Sequence, residues 1–188
     1  MRRRLIRALI ALALLAIAFA VLILLTPKAY PIASSAMEPT LHCAKPADGC
    51  QAKKADRVFV SRVIYRLRDP RRGDLVAFHL PTAATLACGS FFGEAVIKRL
   101  IGVPGDRFRE KSGFVYINGK KLNEPYVTQD NRDAETFPEV KVRKGQYLVL
   151  GDNRSSSCDS RQWGPVPRKN LIGPVIATYW PLSRISIR

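Results

Sequence analysis

An uninterrupted apolar run near the N-terminus most limits how this chain can fold. Residues 8–25 carry no charged or strongly polar side chain, and a run of about this length can cross the hydrocarbon of a bilayer as a helix. Four arginines precede it and no acidic residue occurs in 1–30, which places the N-terminal end in the cytoplasm. The sequence predicts a cytoplasmic segment over 1–7, a transmembrane anchor over 8–26 and an extracytoplasmic domain over 27–188, in a single-pass protein of the cell membrane.

A cleaved signal peptide is the alternative for the same run. Ala18-Phe19-Ala20 has small residues at the spacing of a cleavage site. The triplet lies inside the apolar run rather than after it, and the run is longer than the usual core of a signal peptide. We therefore favour a retained anchor.

The formal charge of +16 limits the class of partner. A basic excess of this size can indicate nucleic-acid binding. The basic residues are spread along the chain, however, and no nucleic-acid-binding motif accompanies them. Attraction to anionic lipid head groups is the better explanation for a chain with an anchor, so we expect membrane lipids and no nucleic acid as partners.

Four cysteines lie in the part predicted to be extracytoplasmic, where disulfides persist. Cys43 and Cys50 enclose a loop with proline and glycine and form the natural local pair, which leaves Cys88 with Cys158. Free buried thiols are the alternative. A zinc site is disfavoured because no Cys-x-x-Cys occurs and only two histidines are present. We expect no metal and no cofactor.

The region after the anchor has the composition of a β domain. Short runs rich in β-branched and aromatic residues alternate with turns that contain proline and glycine, and Asn118-Gly119 is a strong hairpin signal. We read 82–92 and 123–139 as loops, and 168–171 as a short helical turn. The predicted strands lie within 57–63, 74–80, 114–122, 146–150 and 172–180. The fold class that follows is mainly β, with one N-terminal transmembrane helix.

Lys98 is the residue best suited to act as a base. It lies in an apolar stretch that ends in Val103-Pro104-Gly105. Burial against apolar groups would lower the pKa of its amine by as much as about 3–5 units, which is what a Ser-Lys dyad requires. The alternative is an edge strand with a solvated lysine, the usual state of a lysine.

Three segments, in order, resemble the sequence boxes of the type I signal peptidases. Residues 34–41 (SSAMEPTL) are similar to the nucleophile box, residues 98–106 (KRLIGVPGD) match the lysine box, and residues 151–161 (GDNRSSSCDSR) match a third box. Arg72-Gly73-Asp74 is likewise similar to a family turn. Each box alone is weak evidence, but three in order behind an apolar N-terminal segment are specific.

The resemblance implies an antiparallel β peptidase domain and a role for each matched residue. Lys98 would be the general base, Ser157 the hydroxyl that orients its amine, and Asp159 with Arg161 an ion pair that braces the site. The N–H of residue 36 and the side chain of Ser34 would form the oxyanion hole. For Asp159 and Arg161, an ordinary surface salt bridge is the alternative.

The same resemblance implies a substrate. The extended segment that follows the apolar core of a secretory signal peptide would dock as an added strand, with small residues in an Ala-x-Ala pattern before the cut. A secretion translocon is a further partner that this location allows. The residues that match the family's apolar substrate pockets are Ile32, Met37, Leu41 and Ile97, for which plain core packing is the alternative.

The chain departs from the family at one position. Ala36 stands where the nucleophilic serine is expected, and a methyl group cannot attack a carbonyl. On a strand, Ser35 would face the opposite way, and Ser34 would lie about 6–7 Å from position 36. Since the other boxes are intact, we interpret Ala36 as an engineered substitution that silences a signal peptidase I.

Three other interpretations remain open at this stage. The chain is a natural, non-catalytic, membrane-tethered protein that binds signal peptides, a relative that processes conjugation or pilin precursors, or a different membrane-anchored β domain with chance matches. Activity of an Ala36→Ser variant separates the first of these from a silenced enzyme.

Overall fold

The computed structural model describes residues 6, 10, 12–17, 26–89 and 95–188. Residues 6, 10 and 12–17 are helical. Within the described ranges, no helix is both long enough and apolar enough to cross a membrane. The anchor predicted over 8–26 lies in large part outside the described residues, as does the end of the loop predicted over 82–92, so both stay predictions there.

Twelve short strands form most of the described domain. In chain order they are β1 (Lys28–Pro31), β2 (Arg57–Val60), β3 (Leu75–Phe78), β4 (Val96–Gly102), β5 (Arg107–Lys111), β6 (Phe114–Ile117), β7 (Lys120–Lys121), β8 (Phe137–Lys141), β9 (Gln146–Leu150), β10 (Val166–Pro167), β11 (Leu171–Trp180) and β12 (Ser186–Ile187).

These strands form two antiparallel sheets. The larger sheet has the order β1-β2-β11-β3-β4-β9-β10, with β12 paired to β11, and the smaller has the order β7-β6-β5-β8. The chain leaves the larger sheet after β4 and returns to it at β9, so the smaller sheet is an insertion between these two neighbours. The prediction of a mainly β antiparallel domain is confirmed.

The hairpin at Asn118-Gly119 shows how local sequence sets local structure. Both residues have positive φ, 52° and 79°, as the favoured two-residue hairpin turn requires. They join β6 to β7, which pair antiparallel through Tyr116 with Lys121 and Ile117 with Lys120.

Short helices interrupt the sheets. From residue 26 onward, the described α-helices are Ile64–Leu67, Thr82–Cys88 and Ser160–Trp163, and the 3₁₀ turns are Ser35–Met37, Arg154–Ser156, Arg168–Asn170 and Leu182–Arg184. The loop predicted over 123–139 was wrong at its end, where β8 begins at Phe137 and pairs with β5. The loop predicted from residue 82 was wrong over Thr82–Cys88. This stretch is rich in alanine, a strong helix former, and it begins directly after a proline.

Two disulfides join the cysteines in the pairing that the sequence favours. One links Cys43 to Cys50 and the other links Cys88 to Cys158. The second bond ties the helix Thr82–Cys88 to the chain between Ser157 and Asp159. A cross-link to this segment limits how far it can move, both folded and unfolded.

Strand β4 lies where three apolar clusters meet. Ile97 belongs to a cluster with residues of β1, β2 and the 3₁₀ turn Ser35–Met37. Leu100 packs in a second cluster with β3 and β9, and Ile101 in a third beneath the smaller sheet. A side chain on this strand is therefore held by packing from several sides, which gives it one fixed position.

Gly173 is required by the close approach of β11 to the segment after β2. A Cβ at this position would lie 1.6 Å from the carbonyl oxygen of Ser61. We expect Gly173→Ala to lower the free energy of unfolding by about 1–3 kcal/mol or more, since such a clash forces the backbone apart. Urea unfolding followed by circular dichroism measures the loss.

Gly119→Ala is the matched control for that prediction. At Gly119 an added Cβ meets nothing within 4 Å, but φ is +79°. Its cost is backbone strain alone, of order 1 kcal/mol. Equal or smaller destabilisation by Gly173→Ala would contradict the packing argument.

Candidate active site

Ser35 and Ala36 lie in a tight 3₁₀ turn, so the strand geometry that we assumed for the distance between Ser34, Ser35 and position 36 does not apply. Ser34 is extended, with φ −137° and ψ 158°, and the 3₁₀ turn Ser35–Met37 follows it. Ala36 is 7% exposed, whereas Ser34 is exposed and its side chain does not cap the turn. Alternation along a strand therefore does not describe the relation between Ser34, Ser35 and Ala36.

Two asparagines hold this turn in place. The backbone N–H of Asn153 donates to the carbonyl oxygen of Ala36 at 3.1 Å, and its side-chain amide donates to that of Ser35 at 3.2 Å. The amide of Asn131 donates to the carbonyl oxygen of Glu38 at 3.1 Å. The turn is thus bonded to the loop after β9, which carries the third sequence box.

Glu38 directly follows the turn Ser35–Met37. Its side chain is buried and hydrogen-bonded, a role that our sequence reasoning missed. The carboxylate is fully buried, and it accepts hydrogen bonds from the backbone N–H groups of Cys43 and Gln51, each at 3.1 Å. His42 Nδ1 lies 2.5 Å from its other oxygen. An acidic residue between Met37 and Pro39 in an otherwise apolar stretch was the signal that could have revealed it.

Lys98 lies on β4 with its amine removed from water. The residue is 2% exposed, and Nζ donates a hydrogen bond to Ser157 Oγ at 2.7 Å. Burial lowers the pKa of Lys98 to about 8, against the opposing effect of Asp159 and with a further lowering by Arg161. At pH 7 about a tenth of the amine is then neutral, and only the neutral form can take a proton.

Ser157, Asp159 and Arg161 continue the chain of contacts from Lys98. The Ser157 hydroxyl donates to Asp159 Oδ2 at 2.8 Å. Arg161 grips the Asp159 carboxylate with Nε at 2.9 Å and Nη2 at 3.0 Å, the two-point geometry that an arginine fork favours. Asp159 is fully buried, so the pair is not an ordinary surface salt bridge.

Local structure fixes Asp159 independently of its ion pair. Asp159 caps the helix Ser160–Trp163, and the side chain of Gln162 reaches back to its N–H at 2.9 Å. This capping box satisfies two backbone donors at once. The N–H of Gly151 also donates to Asp159, at 3.1 Å.

Gly151 lets the turn Ser35–Met37 approach the residues that contact Lys98. A Cβ on this residue would lie 2.3 Å from Ser157 Oγ and 2.5 Å from the carbonyl oxygen of Ala36. Both oxygens therefore converge on one point beside the backbone of Gly151. Position 36 and the hydroxyl that contacts Lys98 occupy one site because no side chain separates them.

Arg99 lies next to Lys98 but serves a different contact. Its Nε and Nη2 donate to Asp152 at 2.7 and 2.6 Å, and its guanidinium lies 3.8 Å from the ring centroid of Tyr126. Alternation along β4 sends Arg99 away from Ser157.

The four residues matched to the substrate pockets share one apolar cluster. Ile32, Met37, Leu41 and Ile97 are each at most 9% exposed, and Ala95 and Ile172 pack against the cluster half-buried. The cluster lies beside the turn Ser35–Met37 and the first residues of β4. Its members can form the floor of a small apolar pocket next to position 36.

No group of three or more metal-ligating side chains stands together in the described part of the chain. Of the two histidines, His42 bonds to Glu38 and His79 is exposed on the segment after β3.

Comparison with known proteins finds similarity to signal peptidases. The sequence model of the family described as "Signal peptidase, peptidase S26" matches residues 2–180. A probable signal peptidase I-2 of Synechocystis sp. is 45% identical over 156 residues, which are 83% of this chain and 64% of that protein. The signal peptidase I of Leptolyngbya laminosa is 45% identical over 130 residues, 69% of this chain and 63% of that protein.

Two further relatives extend the comparison. The signal peptidase I of Bacillus licheniformis is 34% identical over 165 residues, 83% of this chain and 78% of that protein. A crystal structure of a signal peptidase I from Enterococcus faecalis is 32% identical, with a TM-score of 0.46, and the match covers 57% of this chain and 97% of that one.

This chain spans less than two thirds of the length of the two relatives that are 45% identical to it. The match to the family's sequence model nevertheless runs over nearly all of its residues. On that match, the chain belongs to the signal peptidase family, peptidase S26.

Proposed function

We propose that this scaffold is that of a membrane-bound serine endopeptidase which removes signal peptides from secreted preproteins by a Ser/Lys dyad, and that the chain as written is its inactive form because Ala36 replaces the nucleophile. The observation that carries the proposal is the buried amine of Lys98, 2.7 Å from Ser157 Oγ, in the same site as position 36. No step requires a cofactor.

With a serine at position 36, Lys98 would drive both halves of the reaction. The neutral amine takes the proton of the hydroxyl as its oxygen attacks the scissile carbonyl carbon. The ammonium then gives this proton to the leaving amine, and the C–N bond breaks to leave an acyl-enzyme. Lys98 next deprotonates a water molecule, which hydrolyses the ester and frees the hydroxyl.

The backbone N–H of residue 36 and the side chain of Ser34 would stabilise the oxyanion in each half. Ser34 is exposed and its hydroxyl is not used to cap the turn. Removal of one such donor typically lowers the rate about 10²–10³-fold.

The edge of β4 supports binding of the substrate as an added strand. Residues 96–98 pair with β3, whereas pairing with β9 begins only at Arg99. Among the described strands, none pairs with the other edge of residues 96–98. An extended peptide that pairs there would place alternate side chains over the apolar cluster that contains Ile32 and Ile97.

Cellular position follows from the sequence. A retained anchor over 8–26 would hold the domain on the extracytoplasmic side, next to lipids and to preproteins as they leave a translocon. The basic excess of the chain suits an anionic membrane surface.

A second candidate function rests on Ala36 itself. A natural chain with this residue would bind signal peptides without cleaving them, because only the attacking oxygen is missing. Both candidate functions use the same groove, formed by the edge of β4 and the apolar cluster. They differ in whether the chain cleaves its peptide once a serine is restored at position 36.

Restoration of the nucleophile is the first test. We expect Ala36→Ser to cleave a preprotein after its Ala-x-Ala segment, and the double variant Ala36→Ser with Lys98→Ala to lose at least about 10²–10⁴-fold in rate, since it lacks the base. Ala36→Ser with Lys120→Ala, which removes an exposed hairpin lysine, should match Ala36→Ser alone. A folded but inert Ala36→Ser chain would sink the enzyme proposal and favour the binding function.

The pKa of Lys98 sets the pH dependence of the restored enzyme. Its pKa lies at about 8 instead of 10.5, and the neutral form is the reactive one. We expect kcat/KM of Ala36→Ser to rise tenfold per pH unit below pH 8 and to level off above it. A profile that does not rise with pH, or rises only near 10.5, would contradict Lys98 as the base.

Binding by the chain as written is the next test. We expect the Ala36 form to bind a peptide that carries an Ala-x-Ala segment, measured by calorimetry, because the apolar cluster and the β4 edge do not involve the missing oxygen. The same peptide with Phe at both alanine positions should bind more weakly, since the pocket floor is already filled by buried side chains. Equal affinity for the two peptides would show that this groove is not the binding site.

A further inference from the structure

The guanidinium of Arg161 is held on two edges, and only one of them faces Asp159. Nε and Nη2 bind Asp159, whereas Nη1 donates to Asp133 Oδ2 at 2.5 Å and lies 3.4 Å from Glu110 Oε2. The guanidinium is planar and rigid. Contacts that fix Nη1 therefore also fix Nε and Nη2, the atoms that bind Asp159.

Glu110 and Asp133 reach Arg161 from the inserted part of the chain. Glu110 lies on β5 in the middle of the smaller sheet and is fully buried. Asp133 lies in the connection that leads to β8. Asp159 belongs instead to the segment after β9 of the larger sheet, so Arg161 joins the two sheets.

Arg154 supports the same arrangement. It is 2% exposed, forms an ion pair with Glu124, and lies 3.7 Å from Glu110. Its carbonyl oxygen accepts from Arg161 Nη2 at 3.0 Å. Two buried guanidinium groups thus stand among four carboxylates, and each carboxylate has a cationic partner, as buried charges require.

Glu110 and Arg161 depend on each other electrostatically. Burial raises the pKa of the Glu110 carboxyl, and the positive charges of Arg161 and Arg154 oppose that rise. Burial alone would lower the pKa of Arg161, but its contacts with Asp159, Glu110 and Asp133 raise it above its ordinary value. Each of these buried side chains is stabilised in its charged form by a neighbour of opposite charge.

Arg161 is also one of the charges that act on the base. Beyond burial, the pKa of Lys98 is raised by Asp159 and Asp152 and lowered by Arg161. Asp133 and Glu110 contact Arg161 directly. The position of Arg161 is therefore a route by which either carboxylate acts on Lys98.

We propose that Asp133 and Glu110 are positioning residues, which hold Arg161 from the smaller sheet so that Asp159 keeps Ser157 against the amine of Lys98. This inference rests on the proposed peptidase function only where activity is the readout. It gives the inserted sheet a role in the reaction, although none of its strands carries a residue of the Lys98–Ser157 contact.

A cavity gives experimental access to this cluster. Its volume is about 300 Å³, and it reaches the surface at Glu135 and Thr136, both exposed. A formate ion can therefore take the place of a deleted carboxylate. The residues of the argument that line the cavity are Glu110, Asp133, Arg154, Ser157 and Arg161.

The kinetic test uses the Ala36→Ser background. We expect Asp133→Ala and Glu110→Gln each to lower kcat about tenfold, a usual size for loss of a supporting contact, with KM unchanged because the apolar groove lies elsewhere. Formate should restore much of the kcat of Asp133→Ala. Glu139→Gln is the matched control, since it removes a carboxylate of the same sheet from an exposed ion pair with Arg107, and its kinetics should equal those of Ala36→Ser alone.

The second measurement needs no activity and uses the chain as written. Carbon-13 NMR of ε-labelled lysine, assigned by loss of the signal in Lys98→Met, reports the pKa of Lys98. We expect the pKa to rise by at least about 0.5 unit in Asp133→Ala, since Arg161 no longer lowers it fully. Formate should reverse the rise, and Glu139→Gln should not cause one.

The two measurements separate the two proposals. An inert Ala36→Ser chain whose Lys98 pKa still responds to Asp133→Ala would overturn the peptidase function and keep the positioning role. The positioning role would be overturned if Ala36→Ser is active and Asp133→Ala changes neither its kcat nor the pKa of Lys98. If Asp133→Ala does not fold, Asp133→Asn, which keeps the volume, carries the same expectation with a smaller shift.

Discussion

The burial of one amine is the constraint on which the rest of this structure depends. Lys98 is almost wholly enclosed, and enclosure of an ammonium would cost several kcal/mol without a nearby acceptor. Lys98 Nζ lies 2.7 Å from the hydroxyl of Ser157, which in turn donates to the buried carboxylate of Asp159. Burial favours the neutral amine and the carboxylate favours the ammonium, so the pKa of Lys98 lies at about 8. The carboxylate is in turn neutralised by Arg161, which also contacts the other sheet.

This arrangement explains why the two sheets are packed as one unit. The larger sheet supplies β4 with Lys98 and the segment after β9 with Ser157 and Asp159. The smaller sheet supplies the buried Glu110, and Arg161 contacts both. Interiors of this density transmit small displacements, so a change at Arg161 is expected to reach the amine. None of these contacts involves the side chain of Ala36.

Much of the site could be predicted from short sequence boxes, because each box places its residues by local rules. The Asn-Gly hairpin, the alternation that separates Lys98 from Arg99 and the capping role of Asp159 are all local. Predictions failed where the neighbours lie far along the chain. The 3₁₀ turn at Ser35–Met37 is held by Asn153 and Asn131, more than ninety residues away, so the conditional strand geometry that we used for this segment did not apply. The helix Thr82–Cys88 was missed because its small residues were read as a loop.

The sequence by itself determined the family, the mainly β class and which residues, Lys98 and Ala36 among them, match the family's boxes. These depend on residue identity and spacing within single segments. Only the tertiary structure decided that Glu38 lies buried beside the turn Ser35–Met37, that the backbone of Gly151 lies against both Ala36 and Ser157, and that Glu110 and Asp133 meet Arg161. Those contacts join residues from different sheets, and no local pattern records them, because burial and proximity arise only when the sheets pack together.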